Sequence, residues 1–179
     1  MARLIPPVNE NDHIKGPYNA GIELVEYGDY QCPHCAAAHP LVKAIERTYS
    51  NHLKFVFRHF PLSEVHPYAE AAALAAEAAS RQEKFWQMHD MIFENQPSLS
   101  IGSLLDFAEA LDLDMRKFER DIKEQEIAAK VEADFLSGMR SGVNGTPSFF
   151  INGQKYNGIY DFNSMAGVIE TLMSEKIYR

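Results

Sequence analysis

The pattern of apolar and polar residues predicts a strand, a helix and a second strand in the first third of the chain. Residues 21–27 and 53–60 are rich in β-branched and aromatic side chains, and the strand breakers Gly28 and Pro61 follow them. Between them, residues 36–49 carry apolar side chains at helical spacing. This order predicts a βαβ unit with a right-handed connection and a parallel strand pair.

A long helical pattern follows and separates this unit from the end of the chain. Apolar residues recur at helical spacing from about residue 64 to residue 139. The predicted helices cover residues 68–80, 83–95, 101–111, 114–124 and 127–139, with Asp114 as the N-cap of the fourth. The single unit of residues 1–179 is therefore divided into a core, residues 12–62 and 140–179, and a helical insertion, residues 63–139.

Strand signals return after the insertion. Residues 149–151 and 154–156 have the composition of short strands, and Asn152-Gly153 between them suits a type I′ turn. Residues 162–174 have the spacing of a closing helix, and residues 12–15 are expected to form one short strand near the start. The whole pattern predicts an α/β fold with a mixed sheet.

Composition narrows the classes of protein that this pattern allows. The 179 residues are 46% hydrophobic and 11% aromatic, which is enough for a packed core and argues against a disordered chain. The net charge of −8 argues against nucleic acid as a partner, because phosphate binding needs a basic face. No run of about 20 apolar residues is present, so no membrane span is expected.

The first residues carry no sign of a secretory leader. Arg3 is the one basic residue before Pro6 and Pro7, and no long apolar stretch precedes these prolines. The sequence as it stands therefore predicts a cytoplasmic protein. A cell-envelope location stays open for a chain from which a leader has been removed.

Candidate chemistry concentrates at the only two cysteines, Cys32 and Cys35, which follow the first predicted strand. Cys-x-x-Cys beside a βαβ pattern is typical of a redox-active dithiol. The thiolate is the nucleophile of disulfide exchange, and the N–H groups and positive dipole at a helix start stabilise that anion. Pro33 fits the first helical turn, and His34 can add a positive charge or a donor beside the Cys32 sulfur. These residues predict a lowered pKa at Cys32.

A structural zinc site is the alternative use of the two thiols. Zinc takes four ligands, so two histidines would have to join the cysteines. The histidines available as the two further zinc ligands are His34, His39, His59 and His66. None of them falls in a second pair at finger-like spacing, which favours redox chemistry over zinc.

Several neighbouring residues are expected to have structural roles. Asp29 and Tyr30 are expected to shape the loop before Cys32. Arg58 and His59 end the second strand and are expected to form a charged rim. The apolar stripe within residues 85–93 is expected to pack in the core.

Residues 25–35, Val-Glu-Tyr-Gly-Asp-Tyr-Gln-Cys-Pro-His-Cys, resemble the active-site strand of the DsbA family of thioredoxin-like proteins. The run Gly-Thr-Pro-Ser-Phe at residues 145–149 extends the match, because that family carries a cis-proline after a long helical insertion. The resemblance covers roughly residues 12–172. It implies a bacterial protein with a thioredoxin-like fold, in which a central mixed sheet carries a helical insertion.

The resemblance also implies a role for each site residue. Cys32 matches the exposed attacking cysteine, and Cys35 matches the buried cysteine that resolves the mixed disulfide. Pro147 matches the cis-proline, and the backbone of Thr146 would pair with an extended substrate peptide. Glu26 matches a buried acid that could move a proton for Cys35.

The predicted reaction is therefore disulfide exchange, with the direction of electron flow left open. Predicted partners are protein or peptide thiols and disulfides, with glutathione or a partner oxidoreductase as further candidates. No metal, flavin or nucleotide is expected beyond the redox pair Cys32-Cys35. Two alternatives are a redox-switched chaperone or peptide-binding module, and a glutathione-dependent isomerase or transferase on a related fold. The presence of both cysteines counts against the transferase, since those relatives generally use a serine at the attacking position.

Overall fold

The protein is built on a mixed five-stranded sheet, seen in a computed structural model that describes residues 2–177, with side chains described as far as residue 175. The strands are β1 His13–Lys15, β2 Ile22–Gly28, β3 Leu53–His59, β4 Ser148–Ile151 and β5 Gln154–Lys155. Their order in the sheet is β1-β3-β2-β4-β5. The central strands β2 and β3 are parallel, and the other neighbouring pairs are antiparallel.

The helices begin and end close to the positions that the hydrophobic spacing predicts. They are α1 Pro33–Thr48, α2 Ala69–Ser80, α3 Phe85–Glu94, α4 Ile101–Ala110, α5 Met115–Asp121, α6 Gln125–Arg140 and α7 Phe162–Ile177, with a 3₁₀ turn at Gln96–Ser98. α1 begins at Pro33 rather than at residue 36, because proline is favoured in the first helical turn. Asp114 accepts a hydrogen bond from the backbone N–H of Lys117 at 3.0 Å, which confirms the predicted N-cap.

Two local predictions about the sheet are confirmed. α1 joins the parallel strands β2 and β3, as expected for a βαβ unit. Asn152 and Gly153 connect β4 to β5 with φ angles of 47° and 77°. A positive φ at both central positions is the mark of a type I′ turn.

Helices α2 to α6 lie between β3 and β4 in the chain. α2 consists mostly of alanine, and most of its residues are buried against α3 and α6. α6 also packs on β3, so these helices are attached to the sheet rather than separate from it. The boundaries assigned to the core and the insertion stay a prediction.

The sheet is tightly packed where β2 ends. The ring of Phe57 on β3 lies so close to Gly28 that a Cβ there would be 2.4 Å from a ring carbon. The same Cβ would lie 3.1 Å from Oε1 of Glu26. Glycine at this position therefore leaves room for the Phe57 ring and the Glu26 carboxyl group on the same side of β2.

The prediction of a charged rim at Arg58 and His59 is wrong, because both side chains are buried. Arg58 is 1% exposed and donates one hydrogen bond of 2.8 Å to each carboxylate oxygen of Asp12. It also donates to the hydroxyl of Tyr27 at 2.9 Å. Nε2 of His59 lies 2.8 Å from Oε1 of Glu77 on α2. These side chains join β3 to the segment before β1 and to α2.

The apolar stripe of α3 packs in the core, as predicted. Its buried members are Phe85, Met88, Ile92 and Phe93. Within residues 2–177, no helix combines the length and the apolar composition needed to cross a bilayer.

Candidate active site

The loop between β2 and α1 is organised by the carboxylate of Asp29. Its Oδ1 accepts hydrogen bonds from the backbone N–H groups of Gln31 at 2.7 Å and Cys32 at 3.2 Å. Its Oδ2 accepts from the backbone N–H of Leu62 at 2.8 Å and lies 2.8 Å from Nδ1 of His66. An aspartate that accepts hydrogen bonds from the backbone N–H groups of the residues that follow it favours a tight loop. Asp29 therefore has the loop-shaping role that was predicted.

A second support of this loop comes from the 3₁₀ turn. Nε2 of Gln96 donates to the carbonyl oxygens of Tyr30 at 2.8 Å and Cys32 at 2.9 Å. Buried carbonyl oxygens need such donors. Sequence reasoning missed Gln96, because a polar residue in a predicted loop carries no periodic signal.

Cys32 and Cys35 lie at the start of α1, where Cys32 is the N-cap and Pro33 occupies the first turn. Both are free thiols, and the pair lies 4.0 Å apart. Cys35 is fully buried and Cys32 is only 4% exposed, so Cys32 is less accessible than the resemblance implies. The backbone N–H of Asp29 donates to Sγ of Cys35 at 3.4 Å.

The loop before β4 lies over Cys32. The Thr146-Pro147 peptide bond is cis, and Sγ of Cys32 lies 3.4 Å from the carbonyl oxygen of Thr146. The two residues meet because β4 pairs with β2, with Ser148 opposite Tyr27. The sheet thus brings together the two segments that carry the family resemblance.

The surroundings shift the pKa values of the two thiols in opposite directions. A hydrogen bond from the Cys35 thiol lowers the pKa of Cys32 from 9.0 to about 5, although burial opposes it. The buried hydroxyl of Thr146 has no hydrogen-bond partner among the described residues, so it is available to the Cys32 thiolate, and the Thr146 side chain lowers the pKa of Cys32 further. Burial raises the pKa of Cys35 far above its ordinary value, and so does its bond to Cys32. These opposite shifts favour a thiolate at Cys32 and a protonated thiol at Cys35 near pH 7.

His34 contributes to this difference through its backbone. Its side chain is exposed, and its backbone N–H is one of the donors that lower the pKa of Cys32. The N–H groups of a first helical turn have no partner within the helix, so they are available to an anion. Tuning by the imidazole of His34 stays a prediction.

Glu26 lies on β2 between Phe57 on β3 and Phe149 on β4. Its side chain is 2% exposed, and Oε1 has no hydrogen-bond partner among the described residues. Burial raises the pKa of Glu26 from 4.5 to about 8, and the negative charges of Cys32 and Glu46 add smaller contributions in the same direction. A carboxyl group with this pKa can exchange a proton close to neutral pH.

Two groups of histidine and acidic side chains have the composition of metal sites in the part of the chain that the structure describes. The ligand atoms within each group lie within 4.8 Å of one another. The groups are His39, His89 and Asp90, and His59, Glu77 and Asp134. Neither includes Cys32 or Cys35, so the alternative of a zinc site built on the thiols gains no support.

Comparison with known sequences identifies related proteins. A family model described as thioredoxin matches residues 8–171. The Na⁺/H⁺ antiporter NhaA 1 of Salinispora arenicola is 39% identical over 166 residues, which cover 93% of this chain and 25% of that protein. The antiporter NhaA of Herminiimonas arsenicoxydans is 38% identical over 168 residues, covering 93% of this chain and 27% of that protein. The chain thus spans about a quarter of the length of these curated relatives.

Comparison with solved structures shows the fold. Oxidised BdbD from Bacillus subtilis matches with a TM-score of 0.85 at 23% identity, covering 97% of this chain and 98% of that chain. The thiol-disulfide exchange protein alpha-DsbA2 from Wolbachia pipientis matches with a TM-score of 0.82 at 24% identity, covering 92% and 88%. The predicted thioredoxin-like fold of the DsbA type is therefore confirmed.

Proposed function

The chain belongs to the thioredoxin family, and from this premise we propose that it is a thiol-disulfide oxidoreductase acting through Cys32-Pro33-His34-Cys35. One observation carries the proposal: the free thiols of Cys32 and Cys35 lie together at the start of α1 and beside the cis Thr146-Pro147 bond, where the surroundings lower the pKa of Cys32 and raise that of Cys35. A thiolate is the attacking species in disulfide exchange, and the resolving thiol must wait until the mixed disulfide has formed. The likeness to alpha-DsbA2, a thiol-disulfide exchange protein, supports the same reaction.

The proposed reaction begins when the Cys32 thiolate attacks one sulfur of a substrate disulfide. A bond forms between Cys32 and that sulfur, the substrate S–S bond breaks, and the other substrate sulfur leaves as a thiolate. Cys35 then loses its proton and attacks Cys32. This forms the Cys32-Cys35 disulfide and releases the second substrate thiolate. Two electrons have passed to the substrate, and the reverse sequence would oxidise a substrate dithiol.

Glu26 is the proposed acceptor of the Cys35 proton. While Cys32 is a thiolate, its negative charge adds to the burial that favours the protonated form of Glu26. Formation of the mixed disulfide removes this charge, so the pKa of Glu26 falls. The carboxylate form is then more populated at the step in which Cys35 must be deprotonated.

Thr146 and Pro147 are proposed to position the substrate. The carbonyl oxygen of Thr146 already contacts Sγ of Cys32 at 3.4 Å, so an extended segment paired with this backbone would bring its sulfur to Cys32. The proposed substrates are protein or peptide thiols and disulfides, with glutathione or a partner oxidoreductase restoring the cysteine pair. The direction of net electron flow then depends on the potential of that partner.

Two single variants test the proposal. Cys35→Ser removes the resolving thiol, so a mixed disulfide at Cys32 should accumulate with oxidised glutathione and be visible as a stable adduct by mass spectrometry. Cys32→Ser should form almost no adduct near pH 7, because the buried Cys35 keeps its proton. The unaltered protein should show the adduct only transiently.

The same pair of variants separates the alternatives. No adduct in either variant, together with an unchanged ability to hold an unfolded protein, would overturn the proposal in favour of a chaperone or peptide-binding module. Full turnover of a glutathione-dependent reaction by Cys35→Ser would favour a transferase. Equal adduct formation by both variants would contradict the assignment of Cys32 as the attacking residue.

A further inference from the structure

Two buried polar atoms face each other between α1 and α3 without forming a hydrogen bond. They are Nε2 of His39, one helical turn after Cys35, and Oδ1 of Asp90 on α3. Neither atom has a hydrogen-bond partner among the described residues, and His39 is 7% exposed. Buried polar atoms are nearly always paired, so two that face each other point to a ligand shared between them.

The distance between these atoms fits a shared metal ion better than a hydrogen bond. Nε2 of His39 and Oδ1 of Asp90 are 3.6 Å apart. An N–H···O hydrogen bond is about 2.7–3.2 Å long. Imidazole nitrogen and carboxylate oxygen each bind zinc at about 2.0–2.2 Å, so two such ligands on a tetrahedral ion are separated by roughly 3.4 Å.

His89 supplies a third ligand at the same place. A ring nitrogen of His89 lies within 4.8 Å of the ligand atoms of His39 and Asp90. Nδ1 of His89 also lies 3.0 Å from the hydroxyl of Tyr30. Contacts of this kind hold the ring of a metal-binding histidine in a fixed orientation.

The second group of histidine and acidic side chains is a poorer candidate, because one oxygen of Glu77 and both oxygens of Asp134 are already engaged. Oε1 of Glu77 is shared by His13 and His59, each at 2.8 Å. Both carboxylate oxygens of Asp134 accept hydrogen bonds, one from the backbone of His59 and one from Lys130. An ion at that group would have to displace these contacts.

Lys15 and Lys43 are positively charged neighbours that limit the strength of the candidate site, and Lys43 is in direct contact with one of its ligands. Nζ of Lys43 is paired with Oδ2 of Asp90, the oxygen that does not face His39. The Lys43 ammonium neutralises part of the charge of Asp90 and repels a second cation. Lys43 thus offers a way to strengthen the site without changing any ligand.

We propose that His39, His89 and Asp90 bind a divalent transition-metal ion of the zinc class, with a fourth position left for water. The site would join α1, which carries the cysteine pair, to α3 of the inserted helices. Its ligand set of two imidazoles and one carboxylate suits zinc and excludes a preference for calcium or magnesium, which favour oxygen ligands.

Zinc binding is measured on a chain in which Cys32→Ser and Cys35→Ser remove the thiols, so that only other ligands can contribute. Competition of ZnCl₂ with a coloured chelator should show one zinc ion per chain. In the same background, His39→Phe keeps a ring against Phe93 but removes the ligand nitrogen, and it should weaken binding about tenfold or more. Lys43→Gln should tighten binding, and His52→Phe, at an exposed histidine, should leave it unchanged.

A second readout is the thermal unfolding midpoint with and without zinc, which should rise only in proteins that retain the site. Asp90→Asn replaces a partly exposed ligand and gives a test that does not depend on a buried ring. No stoichiometric zinc in the double-serine chain would overturn the proposal. Binding that survives both His39→Phe and Asp90→Asn would overturn it as well.

Discussion

The side-chain amide of Gln96 lies 2.9 Å from the carbonyl oxygen of Cys32, although 64 residues separate them in the chain. The same Nε2 is 2.8 Å from the carbonyl oxygen of Tyr30. One side chain from the 3₁₀ turn between α3 and α4 therefore holds the loop that leads into the candidate active site. The inserted helices contribute to this site as well as to the core.

Replacing Gln96 with leucine should loosen this loop. The variant leaves the carbonyl oxygen of Tyr30 without its donor, so the free energy of unfolding should fall by about 1–2 kcal/mol in urea. Alkylation of Cys32 should also become less uniform, because its backbone is held less firmly. Gln87→Leu, at an exposed glutamine of α3, is the control and should stay within about 0.5 kcal/mol. An unchanged stability in Gln96→Leu would show that water replaces the amide at no cost.

Removing the Cys35 thiol should raise the pKa of Cys32. The hydrogen bond from Cys35 is the largest cause of the lowered value of about 5, so Cys35→Ala should shift the pKa toward 9.0. Cys35→Ser keeps a donor and should shift it less. The pH dependence of the reaction with iodoacetamide gives both values. A pKa of Cys32 in Cys35→Ala that matches the unaltered protein would mean that the helix start, and not Cys35, stabilises the thiolate.

The buried pair of Asp12 and Arg58 should be costly to break. Asp12→Asn leaves the Arg58 guanidinium buried without its counter-charge, and we expect a loss of about 3–5 kcal/mol in the free energy of unfolding. Asp106→Asn, at an exposed aspartate, should cost less than about 0.5 kcal/mol. Urea unfolding at pH 7 measures both. If the free energy of unfolding of Asp12→Asn fell by less than about 1 kcal/mol, the segment before β1 would detach without disturbing the sheet.

Local features of this fold could be predicted from the sequence. Cys-x-x-Cys after a strand predicted a dithiol at a helix start, and Asn152-Gly153 predicted a turn with positive φ at both positions. These predictions succeeded because each depends on residues close together in the chain. Neither periodicity nor the family resemblance predicted the pairing of β4 with β2, which brings Thr146 to Cys32; the resemblance implied only the cis-proline and the substrate-binding role of Thr146.

Contacts between distant segments explain what the sequence could not predict. Arg58 looked like a surface residue at a strand end, because nothing in the pattern places Asp12 beside it. Gln96 and His39 lie in segments whose partners belong to other helices or loops. Burial of Cys32 likewise depends on a loop more than a hundred residues away.

Glu26 should make the stability of the folded protein depend on pH. The pKa of Glu26 is raised in the folded protein from 4.5 to about 8, so the folded state holds a proton that the unfolded state releases. The contribution of Glu26 to the free energy of unfolding is therefore fully present below pH 4.5 and is lost as the pH rises through about 8. The side chain of Gln in Glu26→Gln is neutral at every pH. The free energy of unfolding of this variant, measured against that of the unaltered protein, should therefore increase between pH 4.5 and about 8 and stay constant above that.

The kinetic effect of Glu26→Gln should fall on the second step of exchange. Attack by Cys32 on a disulfide peptide should change little, whereas release of the peptide by Cys35 should slow on the order of tenfold to a hundredfold, because the proton acceptor is gone. Rapid mixing with mass spectrometry of the quenched mixed disulfide resolves the two steps. Glu23→Gln, on the same strand and paired with Lys54 at 3.1 Å, is the matched control and should alter neither step. If both steps slowed equally in Glu26→Gln, Glu26 would be acting on the structure of the site rather than on the Cys35 proton.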